Sequence, residues 1–341
     1  MSRAVVAAAA VAPSRIDLAG GTLDIWPISE MVSGAVTVNL AIHLDAAARV
    51  APRSDERVEI VSADRGRRMR VPLPIPARVF RGPLSWLARL IEGFAPGRAL
   101  TLAVHAEAPA GAGLGGSSAL GIAVGAALAR ATGEALSREA LVRRVQNLET
   151  RQIRVPTGSQ DYRAAVWGGL SAFAYGPDGI VREGLPHGVA LASRLVLAYT
   201  GEPRQSGFSN WDMFRRYVEG ESRTVRRMER IAQIAGAMRD AVRHGDLDEA
   251  GRLLGEEGRL RYALAPSVAT VSLLAAGRAA RRAGALGVKV CGAGGGGCLA
   301  AFARDGRTDD VARAIAATGA RVLPVRYAPT GVAVSGRRPG R

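Results

Sequence analysis

Between residues 36 and 50, apolar and polar positions alternate and β-branched side chains are frequent, a period of two that predicts strands there and at 57–62. Residues 83–94 read as a short helix and 99–106 as a further strand, followed by a glycine-rich loop at 109–116. Small residues dominate 117–131, which predicts a long helix, and apolar residues at helical spacing predict another at 138–150. A strand at 168–174 closes the first half. The second half opens with a strand at 191–199 and two long, arginine-rich amphipathic helices at 211–235 and 237–254. A helix at 268–282 leads into a short strand at 288–290, a glycine run, a strand at 298–302, a helix at 309–318 and a last strand at 321–327. Strands and helices alternate in both halves without the rhythm of a parallel sheet, which predicts an α+β protein.

The 341 residues exceed one ordinary core and suit two domains, 1–178 and 179–341. The apolar run at 5–12 looks at first like a short signal peptide. It is mostly alanine and leads into Pro13-Ser14-Arg15-Ile16-Asp17 without a cleavage site, so it is read as the first strand and the protein as cytoplasmic. No apolar run reaches the roughly 20 residues that span a bilayer, so no membrane partner is expected. Formal net charge is +16, yet the 46 basic residues include a single lysine, Lys289, the rest being arginine spread along the chain. With only 5% aromatic residues, this is not the clustered, aromatic-interleaved pattern of nucleic-acid binding. A positive field would instead favour anionic ligands. Cys291 and Cys298 lie seven residues apart without further ligands and read as small residues beside a tight loop. The four histidines are scattered and show no metal or triad spacing.

Chemistry concentrates in Pro109-Ala110-Gly111-Ala112-Gly113-Leu114-Gly115-Gly116-Ser117-Ser118. Several glycines let the backbone approach an anion, and the helix that follows offers free N–H groups and the positive end of its dipole. A simpler alternative is a flexible turn capped by Ser117. A Walker A loop is excluded, because Lys289 is followed by valine; a Rossmann fingerprint should follow the first strand, not come a hundred residues later.

This loop resembles the ATP-binding motif of the GHMP kinases (galactokinase, homoserine kinase, mevalonate kinase and phosphomevalonate kinase). Two further stretches stand where that family has its other motifs: Pro13 through Gly20-Gly21-Thr22-Leu23-Asp24, and Val290-Cys291-Gly292-Ala293-Gly294-Gly295-Gly296-Gly297-Cys298. Together they cover nearly the whole chain. The resemblance implies a ribosomal-protein-like N-terminal domain and a ferredoxin-like C-terminal domain, with ATP and Mg2+ as cofactors. It further implies ATP held by Pro109, Gly111, Gly113, Leu114, Gly115, Gly116, Ser117 and Ser118. By the same likeness Asp161 is the catalytic base, Arg15 offsets developing charge, and Ser117 with Glu149 binds the metal. Acceptor contacts would come from Asp24, Gly20, Gly21, Thr22, Gly294 and Gly295.

Arg15 and Asp24 keep the nine-residue spacing of the family's sugar-directed members, and the pattern most resembles the heptose-phosphate and fucose kinases. A carboxylate at Asp24 accepts hydroxyl hydrogen bonds and suits a polyol better than an acid. Thr22-Leu23-Asp24 departs from the Gly-Thr-Asp of heptose kinases. Read alone, Asp24 could instead cap a helix starting near Ile25, Asp161 is a loop aspartate and Glu149 an exposed helix residue. The polar stretch 201–211, with Arg204, Ser206, Ser209 and Asn210, reads as a substrate loop or as a cap by Ser209. The expected partner is a small sugar or sugar phosphate, and the protein a monomer or homodimer. The rivals are a mevalonate-pathway kinase or decarboxylase and a non-catalytic nucleotide-binding protein.

Overall fold

The structure is a computed structural model that describes residues 5–201, 208–264, 270–292 and 296–336. It starts with β1 (Ala8–Ala19), the short α1 (Ile28–Met31), the long β2 (Val36–Pro52) and a hairpin of β3 (Arg57–Ser62) with β4 (Arg67–Pro72). After α2 (Ser85–Phe94) and β5 (Leu100–Ala106) come α3 (Gly116–Thr132), α4 (Arg138–Ile153) and α5 (Gln160–Trp167). Then follow β6 (Leu170–Gly176), β7 (Gly179–Gly184), α6 (Gly188–Ser193) and β8 (Leu195–Tyr199). Four helices come next, α7 (Phe208–Val218), α8 (Ser222–His244), α9 (Leu247–Leu264) and α10 (Val271–Arg282). The chain ends with β9 (Ala285–Val290), β10 (Cys298–Ala303), α11 (Thr308–Ala316), β11 (Arg321–Leu323) and β12 (Ala333–Gly336). This is the α+β architecture that the sequence pattern predicts.

The larger sheet runs β12-β1-β2-β5-β3-β4, with β6 beside β2 and β7 beside β6. Strand β2 organises it. One edge pairs with β1 along nearly its whole length; the other pairs with β6 over Val36–Leu40 and with β5 over Ala46–Pro52. The only parallel pairing among these strands is β3 with β5. Helices α2, α3 and α4 cover one face, where Leu90, Ile91, Ile122, Val124, Leu128 and Val145 bury against β-strand alanines and valines. The smaller sheet is antiparallel, in the order β11-β8-β10-β9. One of its faces carries α10 and α11, through Leu273, Ala276, Val311 and Ile315. A second core joins Ile16, Leu18, Val38 and Leu40 of the larger sheet to Leu197 and Phe302 of the smaller one, with Ile234 and Leu254 from α8 and α9 between.

Element boundaries depart from the sequence pattern where local signals competed. The helices expected at 211–235 and 237–254 are instead α7, α8 and α9. Breaks fall at Gly220 and Gly245, both with positive φ, while Gly236 continues inside α8. The strand expected at 191–199 starts four residues later, after α6. The final strand expected at 321–327 is only Arg321–Leu323, with Tyr327 forming an isolated bridge to Ile42. Among the described residues no helix is long and apolar enough to cross a membrane.

Candidate functional site

The three glycine-bearing stretches converge on one cleft. Arg15 on β1 donates its backbone N–H to Leu114 O at 3.0 Å and its Nη1 to Gly113 O at 2.8 Å, which ties the first stretch to the central loop. The third stretch lies against the same loop: Cys298 N donates to Ala112 O at 2.9 Å. A Cβ on Gly113 would sit 2.2 Å from Cys291 O, and one on Gly297 would sit 2.7 Å from Gly111 O. Two backbones approach here more closely than any side chain allows. Gly294 and Gly295 lie outside the described residues, as do Arg204 and Ser206 and the side chains of Ser209 and Asn210.

A cavity of about 690 Å³ opens over these stretches. All eight loop residues expected to hold ATP line it, and so do Arg15, Asp24, Thr22, Glu149 and Asp161. Gly20 and Gly21 do not; they are buried beneath it. Helix α3 points its N-terminus into the cavity, with Gly115 in the left-handed conformation as N-cap. The first N–H groups of the helix therefore have no carbonyl partner within it and face the space where an anion is favoured. Ser117 does not cap the helix. Its hydroxyl donates to Glu149 Oε1 at 2.7 Å, and the Tyr162 hydroxyl donates to Glu149 Oε2. Burial raises the Glu149 carboxyl above its ordinary range despite these two donors.

Asp161 lies in the first turn of α5, and its side chain is 28% exposed while that of its partner Arg15 is 3% exposed. Arg15 Nε and Nη2 both reach Asp161 Oδ1, at 2.9 and 2.5 Å. A Cβ built on Gly115 would lie 3.2 Å from Asp161 Cγ, so the carboxylate sits directly beside the phosphate loop. Although burial works against it, Asp161 and Asp17 hold the Arg15 guanidinium firmly charged.

Asp24 is buried in the turn after β1. It accepts from Thr22 N at 3.1 Å and from Gln160 N, the first N–H of α5, at 2.9 Å; it does not cap a helix of its own stretch, because α1 starts only at Ile28. Gly158 makes room for it, since a Cβ there would lie 2.0 Å from Asp24 Oδ2. Burial, with repulsion from Asp161, pushes the Asp24 carboxyl up to about 6. Thr22 holds this turn with φ of 80°, a costly conformation for a β-branched residue.

Sequence reasoning missed a buried group of charges behind the acceptor side. Lys289 Nζ lies 3.0 Å from Asp17 Oδ1 and 2.7 Å from Glu257 Oε2. Arg261 Nε donates to Glu257 Oε1 at 3.0 Å, and its Nη2 is 3.5 Å from Asp17 Oδ2. The one available signal was that Lys289 is the sole lysine among so many arginines.

The donor set fits magnesium. A hydroxyl and a carboxylate 2.7 Å apart at a helix N-terminus supply hard oxygens. Mg2+ commonly takes one or two carboxylates and completes its shell with phosphates and water. Among the described residues no cluster of three or more His, Cys, Asp or Glu gathers for a metal.

An anion-ready loop beside a cation-held carboxylate is what phosphoryl transfer requires. Comparison with known proteins gives the family. Residues 84–169 match the GHMP kinases N terminal domain and residues 238–321 the GHMP kinases C terminal. Similar curated proteins include a mevalonate kinase of Pyrococcus horikoshii, 30% identical over 69% of this chain and 68% of its own length. A D-glycero-alpha-D-manno-heptose 7-phosphate kinase of Campylobacter jejuni is 25% identical over 85% of this chain and 87% of its own. The bifunctional fucokinase/GDP-fucose pyrophosphorylase of Arabidopsis thaliana is 25% identical over 74% of this chain, which spans only 26% of that protein. Lactococcus lactis galactokinase shares the fold, with a TM-score of 0.77 at 18% identity over 96% of this chain and 95% of its own. The chain belongs to the GHMP kinase family. It is therefore a GHMP-family kinase, and membership implies ATP as the phosphoryl donor.

Proposed function

We propose that the chain transfers the γ-phosphoryl group of ATP to a hydroxyl of a sugar or sugar phosphate. The observation that carries this reading is Asp24: a buried carboxylate on the cavity wall, fixed by two backbone N–H groups, with lone pairs left for substrate hydroxyls. An acid such as mevalonate would meet repulsion there. The similarity to the mevalonate kinase of Pyrococcus horikoshii keeps that acceptor as the second reading.

In this mechanism the N–H groups of Gly116 and Ser117 and the α3 dipole receive the ATP phosphates. Ser117 and Glu149 would hold Mg2+, which when bound neutralises phosphate charge. Arg15 anchors Asp161 by one oxygen and leaves the other toward the cavity. As the acceptor oxygen bonds to the γ-phosphorus and the bond to ADP breaks, Asp161 takes the hydroxyl proton. The Arg15 charge beside it offsets the negative charge that develops.

The test is ADP release with Mg-ATP and a panel of free sugars, sugar phosphates, mevalonate and homoserine. Sugar-dependent turnover is expected, falling roughly 100- to 10,000-fold in Asp161→Asn. A response to mevalonate or homoserine alone would overturn the sugar reading, and silence across the panel with ATP still bound would point to a non-catalytic nucleotide-binding protein.

A further inference from the structure

The acceptor side of the cavity has a floor built by side chains outside the three glycine-bearing stretches. Beneath Asp24, Gln160 Oε1 is buried without a hydrogen-bond partner, and Arg261 Nη2, which makes no hydrogen bond either, has the carboxylate of Asp17 3.5 Å away as its nearest counter-charge. Both residues line the cavity. They meet at Gly21, where a built Cβ would lie 2.3 Å from Arg261 Nη2, 2.9 Å from Gln160 Nε2 and 2.2 Å from Asp17 Oδ2. Buried donors and acceptors without partners are rare and costly, and where they line a cavity a ligand is the natural partner.

The chemistry of that partner follows from the charges. Arg261 is not a spare cation: Glu257 lies 3.0 Å away and Asp17 3.5 Å away, and Lys289 completes the group. Two positive and two negative groups leave this floor neutral, and the Arg15–Asp161 pair is neutral as well. Among the described residues Asp24 therefore sets the sign of the acceptor side, and an anionic group entering it would meet a carboxylate that no described cation compensates. A polyol meets every need at once. One hydroxyl oxygen accepts from Arg261 Nη2, while hydroxyl protons go to Gln160 Oε1 and Asp24. A carboxylate or phosphate has no proton to offer the two acceptors.

We propose that Arg261 and Gln160 are acceptor-specificity residues that hold a neutral, polyhydroxylated end of the substrate against Asp24. Where the acceptor is a sugar phosphate, its phosphate points away from Arg261. This rests on the sugar-kinase reading and sharpens it: helix α9, remote in sequence from the phosphate loop, reads the substrate, and reads hydroxyls.

The test compares full-length wild type, Arg261→Met, Arg261→Lys and Gln160→Met. Acceptor affinity is measured by calorimetry with a non-hydrolysable ATP analogue and Mg2+, and KM and kcat by ADP release. The probes are D-galactose and its 6-phosphate, D-glycero-D-manno-heptose and its 7-phosphate, and (R)-mevalonate. Arg261→Met is expected to weaken the accepted sugar roughly 10- to 100-fold, the loss of one charge-assisted hydrogen bond, with the KM for ATP unchanged. The ester and the free sugar lose the same factor. Should Arg261→Met fail to fold, Arg261→Lys keeps the charge and Gln160→Met keeps the volume, and each is expected to raise acceptor KM more than it changes kcat. Unchanged acceptor affinity in well-folded variants would overturn the proposal and leave Arg261 a structural partner of Glu257. A loss confined to the phosphorylated probe would overturn it as well, by making Arg261 a phosphate reader. If wild type binds only mevalonate, the sugar reading fails, and with it the neutral floor; an Arg261→Met defect there would mark an acid-binding arginine. Binding of no probe at all would also overturn the proposal.

Discussion

Two sets of opposite charges meet at the cleft, and burial separates their work. Arg15 and Asp161 form a pair with one member 28% exposed to the cavity. Asp17, Glu257, Arg261 and Lys289 form a group in which no side chain exceeds 12% exposure. The first pair keeps a carboxylate oxygen accessible to a reactant. The second spends nearly all its bonding on itself and joins β1 of the larger sheet to α9 and β9 of the smaller one. Ion pairs of similar length thus serve chemistry in one place and alignment in the other.

The sharpest way to break this comparison is to take one charge from the sealed group. Lys289→Met leaves Asp17 and Glu257 with Arg261 alone, and unfolding in urea is expected to show a loss of about 3–5 kcal/mol. Adding Glu257→Leu restores the charge balance and should recover part of it. Asp161→Asn leaves the buried Arg15 with Asp17 as its remaining counter-charge, so it should lower stability as well as turnover, the loss of turnover being the larger.

Asp24 stands between the two cases and gives a pH signature. Because burial raises its carboxyl from 3.8 to about 6, the fold favours the protonated form. The stabilisation this provides is fully present below pH 3.8 and is lost as pH rises through 6. Acceptor binding uses the ionised form, so kcat/KM for the acceptor should fall about tenfold per pH unit below 6. Asp24→Asn is expected to abolish that limb and weaken the acceptor roughly tenfold. It should also stabilise the chain at pH 7 by up to roughly 3 kcal/mol, seen as a higher urea midpoint. The smallest effect belongs to Tyr162→Phe. Losing the hydroxyl that steadies Glu149 costs about 1 kcal/mol, read as a roughly fivefold rise in the Mg2+ needed for half-maximal turnover, with kcat at saturating Mg2+ unchanged.

What the sequence made legible follows the range of the interactions. Local patterns located β3 and α4 well, because alternation and helical spacing act over a few residues. They failed at 211–254, where the amphipathic period runs through glycines that end a helix at Gly220 and Gly245 but not at Gly236. The strand β1 extends to Ala19 because Arg15 and Asp17 are held by partners far along the chain, and their polarity hid the strand. Resemblance put Arg15, Ser117, Glu149 and Asp161 on one list, and the fold places them around one cavity. It was silent about Asp17, Glu257, Arg261 and Lys289. Their pairing spans most of the chain, and no spacing rule connects residues of different sheets.

The solitary lysine has an experimental consequence. Lys289 carries the only side-chain amine in the molecule, and it is fully enclosed. An acylating reagent that modifies amines, or a protease that cuts after lysine, therefore has a single internal target that the native chain conceals. The rate at which that target is labelled or cut reports how often the two sheets part at β9. No competing lysine on the surface blurs the signal. Ligands that close the cleft should slow this reaction, so acceptors can be ranked by protection even before any turnover is detected.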